Sequence, residues 1–486
     1  MTRTAIALLL LPACAEMSMV NGDLGVTPGG SQDIGFARDE IAGGLIPDQE
    51  HFTAEGLFSE HDLPLSGPPC EALLCPRAAA TVHRPFVGDP ELLVQLGFGT
   101  SISSATFQRP DLDIAFLVDT SGSMSGPPLE VSKEAMLAAI DQLGPDDHAA
   151  LVEFGSTALV RERSRAMDEV GKAKLRDAVR ALESNGSTDL ESGMRKAYDE
   201  LDLSLAASHR LMIFTDAQPN TGLTAESDFV TLVRDRAEEE VGLSFFGVSP
   251  SLGTELADVI AKVRGGNFFF LDEDSLPVLF GDEFDFVVTP LAYDLEVAVS
   301  PAEGVALGAV YGAPVDGGEV RLGASTLFLS SKDGGMAATF AINPEGPLDI
   351  GTMAMSYLPV GASGKVKTDV GVRGVGKPDV ARVEDTIDVR WEGGTFDGDA
   401  DDLGVAKIDV LVHQFDAMKI AADACDGTLA MADAAAQVDA AGALLAERAA
   451  DLSQPDLEIE VALMAKLAEN LRAEAPACAA ADIYAY

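Results

Sequence analysis

The sequence has few basic residues, and this scarcity restricts the partners that the protein can bind. Lys and Arg account for 33 of 486 residues and Asp and Glu for 79, so the formal net charge is −46. A surface of that sign repels the phosphates of nucleic acids and of anionic lipid headgroups. We therefore expect no nucleic-acid partner. The same charge attracts divalent cations.

Long apolar runs are also missing. The run at residues 5–11 follows one Arg and precedes small residues, and it is far shorter than the roughly 18 residues that a membrane-spanning helix needs. This arrangement predicts a secretory signal peptide over residues 1–13. The "LPAC" ending resembles the bacterial lipobox, which implies that Cys14 is lipidated. The protein would then be anchored in the cell envelope, at the outer membrane, on its periplasmic or exposed face; simple secretion is the alternative.

Cysteine is scarce as well. With Cys14 assigned to the anchor, four cysteines remain, namely Cys70, Cys75, Cys425 and Cys478. The CxxC spacing is absent and the six histidines are scattered, which argues against a zinc site. An even number of cysteines in an exported chain suggests disulfides, with three possible pairings. Three antiparallel C-terminal helices would bring Cys425 and Cys478 to one pole, so we expect Cys425–Cys478 and Cys70–Cys75.

Apolar runs alternate with amphipathic segments over residues 111–285. Four runs suit strands buried on both faces of a sheet: "DIAFLVD" (113–119), "ALVEFG" (150–155), "RLMIFTD" (210–216) and "GLSFFGVS" (242–249). Between them apolar residues recur at helical spacing, as in Leu190, Met194, Ala197 and Leu201. This alternation predicts a doubly wound α/β domain with a mostly parallel sheet.

The rest of the chain has other patterns. Residues 14–40 are rich in Gly, Asp and Ser and suit a tether. Residues 41–110 read as a small β-rich region, and residues 286–400 as short strands of a β-sandwich-like domain. Residues 401–486 are Ala-rich and predict a helical bundle of three segments. The expected fold class is therefore a multidomain α/β protein whose Rossmann-like domain is flanked by β-rich regions and a C-terminal helical region.

Hydroxyl and carboxylate side chains follow the ends of two predicted strands. Asp119 ends the first strand and is followed by Ser121 and Ser123; Asp216 ends a later one. Thr188 lies in a loop just before a helix. Ligands of doubly wound sheets bind beyond the carboxyl ends of the strands. An all-oxygen set without His or Cys favours Mg²⁺, Mn²⁺ or Ca²⁺.

Three segments carry a family resemblance. "DTSGSM" (119–124), "GSTD" (186–189) and "FTDAQPN" (214–220) resemble the metal-ion-dependent adhesion site of von Willebrand factor A (vWA) domains, over roughly residues 111–285. The resemblance implies that Ser121, Ser123 and Thr188 contact the metal, while Asp119 and Asp216 act from further out. It also implies that a protein partner supplies a carboxylate to an open metal position. Beyond that domain a looser resemblance links the chain to exported bacterial relatives of inter-alpha-trypsin-inhibitor and chloride-channel-regulator proteins.

Each of these segments has an alternative interpretation. Thr188 with Glu191 fits a helix-capping box. Asp397, Asp399 and Asp401 have the spacing of a calcium loop, but the Gly and Glu that such a loop needs are missing, so an acidic linker is the better interpretation.

The function that these residues favour is metal-dependent binding or adhesion at the cell envelope, without catalysis. A metal-dependent scaffold for envelope assembly is the alternative. A metal-dependent hydrolase is less favoured because no general base accompanies the motif in sequence.

Overall fold

The fold is described by a computed structural model. It describes residues 24–29, 32–103, 107–202, 208–216, 226–248, 263–271, 275–312, 315–316, 319–341, 348–360, 365–368, 371–374, 383–391 and 403–479. The proposed signal peptide, Cys14, the first part of the tether and the acidic segment 397–402 lie outside these residues.

Strands and helices are numbered in chain order. The strands are β1 (Gly25–Pro28), β2 (Leu45–Ile46), β3 (Cys75–His83), β4 (Glu91–Gly99), β5 (Leu112–Asp119), β6 (His148–Phe154), β7 (Ala158–Ala166), β8 (Ser208–Thr215), β9 (Val241–Gly247), β10 (Gly266–Phe270), β11 (Pro290–Pro301), β12 (Ala306–Tyr311), β13 (Val315–Asp316), β14 (Glu319–Ser330), β15 (Met336–Ala341), β16 (Leu348–Pro359), β17 (Lys365–Thr368), β18 (Gly371–Gly374), β19 (Val383–Trp391) and β20 (Ala477–Cys478). The helices are α1 (Gly35–Ala42), α2 (Ala54–Ser59), α3 (Pro127–Gln142), α4 (Glu169–Arg180), α5 (Leu190–Leu201), α6 (Glu226–Ala237), α7 (Phe284–Val287), α8 (Leu403–Cys425), α9 (Met431–Leu452) and α10 (Asp456–Leu471).

A six-stranded sheet forms the centre of the α/β domain, in the order β10-β9-β8-β5-β6-β7. Its strands pair in parallel, except that β7 runs antiparallel to β6. Every residue of β5 is buried, which suits a central strand covered on both faces. One face packs against α3 and α4, and the other against α5 and α6. The predicted doubly wound fold is confirmed.

Gly193 lets α5 approach the sheet closely. A Cβ atom at this position would lie 2.9 Å from the Cβ of Phe154 and 3.0 Å from Cδ1 of Leu117. Since real side chains essentially never come that near, a larger residue would push α5 off the sheet. The loop that precedes α5 contains Thr188, so this contact helps to position one of the predicted ligands.

Two antiparallel sheets form the β-rich part of the molecule. One has the order β1-β14-β11-β16-β19, with β13 on β14, and the other β12-β15-β4-β3. Their inner faces share one core, which includes Leu92, Val94, Val297 and Met353. The sequence pattern predicts that residues 75–99 belong to a separate N-terminal β-rich region, but β4 pairs with β15 and so belongs to the second sheet. β4 is buried along nearly its whole length, which suits an interior strand of a sheet that is covered by other parts of the molecule.

The C-terminal helices α8, α9 and α10 pack together, as the sequence predicts. Helices α1 and α2 pack into the same core, so that Ile41 and Phe58 lie among residues such as Met418 and Leu467. The short strand β2 pairs in parallel with β20. The N-terminal and C-terminal parts of the chain therefore share one helical unit. The domain boundaries proposed from the sequence stay a prediction.

Two disulfides are present, and they are the pairs expected from the sequence. One disulfide joins Cys70 to Cys75, which are five positions apart in sequence and whose Cα atoms are 5.8 Å apart. Cys425–Cys478 joins the end of α8 to β20 across 53 positions. In the described part of the chain, no helix is both long and apolar enough to span a bilayer.

Candidate metal site at the carboxyl end of the central sheet

Asp119 lies at the carboxyl end of β5, completely buried. Its Oδ1 accepts a hydrogen bond from the backbone N–H of Ser121 at 2.7 Å, and its Oδ2 accepts one from Oγ1 of Thr215 at 2.7 Å. Thr215 ends the neighbouring parallel strand β8. The carboxylate is thus held by both strands at the rim of the sheet.

A chain of hydrogen bonds links the serines to the second carboxylate. Oγ of Ser121 lies 3.0 Å from Oγ of Ser123, and the latter donates to Oδ1 of Asp216 at 2.9 Å. Ser123 and Asp216 are 93 positions apart in sequence. They meet because β5 and β8 are adjacent and parallel, so the loops after both strands leave the sheet at one edge.

The loop with Thr188 lies against the serine loop. The backbone N–H of Gly122 donates to the carbonyl oxygen of Gly186 at 3.1 Å, and the N–H of Asn185 donates to the carbonyl oxygen of Thr120. Thr188 itself is 2% exposed. The five residues predicted from the sequence therefore lie in three loops that converge on one rim.

The N-cap of α5 is Asp189, whose side chain accepts a hydrogen bond from the N–H of Ser192 at 3.2 Å. The residue that caps the N-terminus of α5 is thus Asp189 and not Thr188.

Burial dominates the electrostatics of the two carboxylates. It raises the pKa of Asp119 to about 6, although hydrogen bonds from Thr215 and Ser121 oppose the increase; the charge of Asp216 adds to it. Burial also raises the pKa of Asp216, against the hydrogen bond from Ser123. Burial disfavours the charge of both carboxylates, and Asp216 further disfavours that of Asp119; a bound cation would offset these effects.

The donor set fits a hard divalent cation. It consists of carboxylate and hydroxyl oxygens, the ligands that Mg²⁺, Mn²⁺ and Ca²⁺ prefer. Ser121 is buried whereas Ser123 is exposed, so the rim can be reached from solvent. A metal here could accept a further ligand from outside the chain.

The family comparison agrees with this geometry. Residues 113–280 match the model of the von Willebrand factor type A domain. The chain contains a vWA domain. The match covers the whole central sheet, with all three loops of the candidate site.

Relatives match this chain over part of its length. It is 30% identical over 205 residues to inter-alpha-trypsin inhibitor heavy chain H1 of Sus scrofa, covering 40% of this chain and 22% of that protein. It is 29% identical over 169 residues to the uncharacterized protein YfbK of Escherichia coli (strain K12), covering 34% and 29%. The chain thus spans less than a third of either relative. A solved structure described as von Willebrand factor type A from Catenulispora acidiphila aligns with 84% of this chain and 91% of its own, at 17% identity and a TM-score of 0.43.

Two groups of His and carboxylate residues were missed by the sequence analysis, which treated the histidines as scattered. His83, Asp409 and His413 form one group, and Glu60, His61 and Glu460 the other. Both ring nitrogens of His413 face carbonyl oxygens, of Asp409 at 2.7 Å and of Arg84 at 2.8 Å. The second group already contains a cation, because Arg38 contacts both of its glutamates. Hydrogen bonds and a guanidinium thus occupy the positions that a metal would need.

Proposed function

We propose that the vWA domain binds a divalent cation, Mg²⁺ in the first place, and through it a protein partner. Ser121, Ser123 and Thr188 would contact the metal directly, with Asp119 and Asp216 placed further out. The partner would supply a carboxylate to the remaining coordination position. The role is binding or adhesion at the cell envelope and not catalysis.

One observation carries this proposal: the hydrogen-bonded series from Asp119 through Ser121 and Ser123 to Asp216 at one rim of the sheet. A helix cap or a flexible loop, the alternatives for the separate segments, would not require these residues to meet across 93 positions. A hard divalent cation carries a high positive charge. Because the two buried carboxylates would lie further out than the hydroxyl ligands, they would neutralise this charge only in part. That residual charge is what would recognise an acidic side chain.

The test compares two serines of the same loop. Ser123 belongs to the proposed site, whereas Ser125 is exposed and donates its backbone N–H to the carbonyl oxygen of Gly122. Mg²⁺ should raise the melting temperature of the wild-type protein and of Ser125→Ala, because a ligand that binds the folded state stabilises it, by about 2.7 kcal/mol at 100 times its Kd. Ser123→Ala should lose most of that increase while it melts normally without Mg²⁺.

Calorimetric titration with Mg²⁺ measures the same difference directly. Capture of a partner from cell envelopes should succeed with Mg²⁺ and fail with EDTA, for wild type and Ser125→Ala alike. Equal Mg²⁺ responses in all three proteins would contradict the proposed site. Accessibility of the domain to protease on intact cells then separates surface adhesion from a scaffold within the envelope.

A further inference from the structure

A cavity of about 390 Å³ lies where four parts of the molecule meet. Its walls come from α1 and the end of α2, from β10 and α7, from β14 and from α10. Among the residues described as lining it, none is a predicted metal ligand. Its volume is within the range of small-molecule sites, roughly 300–1,000 Å³.

One wall of the cavity is apolar and aromatic. Phe270 of β10, Phe286 of α7 and Phe328 of β14 all line it. The ring of Phe328 also packs against Arg210, whose guanidinium carbon lies 5.2 Å from the ring centroid. Ile459 of α10 also lines the cavity, and its side chain is 62% exposed. This wall suits an apolar ligand surface.

The remainder of the lining includes charged side chains that are bonded to one another. Arg38 contacts Glu60 and Glu460. His61 contacts Asp456 at 3.0 Å and Glu460 at 3.2 Å through its two ring nitrogens.

The remaining charged residues of the lining have hydrogen-bond partners as well. Nζ of Lys332 donates to the carbonyl oxygen of Glu60 at 2.9 Å. Glu283 accepts from the N–H of Ser331 at 3.4 Å. Asp33 accepts from the N–H of Phe270 at 2.9 Å.

These pairings restrict the ligand. A charged ligand group would leave water for a cavity whose charged side chains already have hydrogen-bond or ion-pair partners, and burial without a new partner is costly. An uncharged group avoids that cost. Arg38 and Glu60 keep 21% and 19% of their side chains exposed, so they can share a hydrogen bond with a neutral polar group.

We propose that this cavity binds an uncharged, mostly apolar small molecule that carries one hydrogen-bonding group. The apolar body packs against the three phenylalanine rings, and the polar group lies at the Arg38–Glu60 end. The site is separate from the metal site and does not depend on it.

Fluorescence titration of the full chain with N-phenyl-1-naphthylamine tests the proposal, because this neutral probe becomes bright in apolar surroundings. Saturable binding of one probe per chain is expected. The anionic probe 8-anilinonaphthalene-1-sulfonate should bind at least tenfold more weakly.

Ser59 supplies a matched pair of variants, since it ends α2 and lines the cavity. Ser59→Trp fills the space and should weaken probe binding at least tenfold, whereas Ser59→Ala should bind like wild type. A second pair of variants tests the proposal even if Ser59→Trp does not fold. Ile459→Gln at the mouth should weaken binding several-fold, and Val170→Gln, at an equally exposed 62% position on α4, should not.

Absence of saturable binding, stronger binding of the anionic probe, or equal affinities within both pairs of variants would overturn the proposal. Each of these outcomes leaves the Mg²⁺ result at the metal site unaffected, so the two proposals fail separately.

Discussion

His61 is a buried side chain whose two ring nitrogens face two carboxylates of α10. Burial alone would lower its pKa, but the hydrogen bonds to Asp456 and Glu460 outweigh burial, and the pKa is raised above 6.5. Burial would likewise raise the pKa of Glu460, yet the contacts with His61 and Arg38 lower it to about 2. These opposite shifts identify an ion pair that joins the end of α2 to α10.

The cluster predicts how stability depends on pH. Glu460 stabilises the fold above its usual pKa of 4.5, and this contribution is lost as the pH falls towards 2. His61 stabilises the fold below its usual pKa of 6.5, and its contribution is lost as the pH rises through the higher folded-state value. Glu460→Gln should therefore lower the free energy of unfolding by about 3 kcal/mol near pH 6.

Urea denaturation from pH 2 to 9 measures this effect. The difference between wild type and Glu460→Gln should shrink towards pH 2, where Glu460 is protonated in the unfolded chain and about half protonated in the folded protein. Glu458→Gln is the control, because Glu458 lies exposed on the same helix. A loss of stability that is the same for both variants, or one that persists at pH 2, would argue against the ion pair.

At the scale of elements, the N-terminal segment covers an edge of the central sheet. The N–H of Gln32 donates to the carbonyl oxygen of Phe268 at 3.2 Å, and Asp33 accepts from the N–H of Phe270 at 2.9 Å. Strand β10 is an edge strand, and such contacts keep its backbone groups from pairing with another chain. The sequence assigned this segment to a tether, but residues 32–40 are packed.

The two disulfides differ in the length of the loop that each closes, and this difference predicts their contributions. The chain-entropy relation gives about 4 kcal/mol for the 53-residue separation of Cys425–Cys478 and about 2 kcal/mol for the five-residue separation of Cys70–Cys75. Replacing each pair by Ser should lower the free energy of unfolding in that order, as measured by guanidinium denaturation. Equal losses, or a larger loss for Cys70→Ser with Cys75→Ser, would show that loop length does not control their effect.

At the scale of the whole molecule, parts of the described chain that are far apart in sequence share one helical core. Helices α1 and α2 share a core with α8, α9 and α10, and β2 pairs with β20 next to the Cys425–Cys478 disulfide. The described chain begins with β1, which pairs with β14 in the first antiparallel sheet. The net charge of −46 would keep the folded part away from anionic lipid.

The proposed anchor at Cys14 can be tested by cell fractionation. The wild-type protein should partition into detergent and resist salt washing, since several acyl chains together hold a protein firmly. Cys14→Ser should be released or remain unprocessed. A wild-type protein found wholly in the soluble fraction would rule out lipid anchoring in favour of secretion.

Much of the α/β domain could be predicted because its signals are local. The apolar run 113–119 corresponds to β5, and the run 210–216 differs from β8 by one or two residues at each end. Strand β7 was missed because its side chains alternate between exposed and half-buried, which gives no apolar run. Strand β10 is short and was not separated from its surroundings.

The sequence by itself determined the doubly wound domain, the meeting of the Asp119, Thr188 and Asp216 loops, and the pairing of the cysteines. Each follows from periodicity within one segment or from a rule about where the ends of neighbouring elements lie. Only the tertiary structure decided that β4 pairs with β15, that α1 and α2 pack on the C-terminal helices, and that His61 meets Glu460 across 399 positions. A buried strand or an amphipathic helix shows that it needs a partner, but many apolar surfaces of the same chain can satisfy that need, so the choice depends on packing the whole molecule at once.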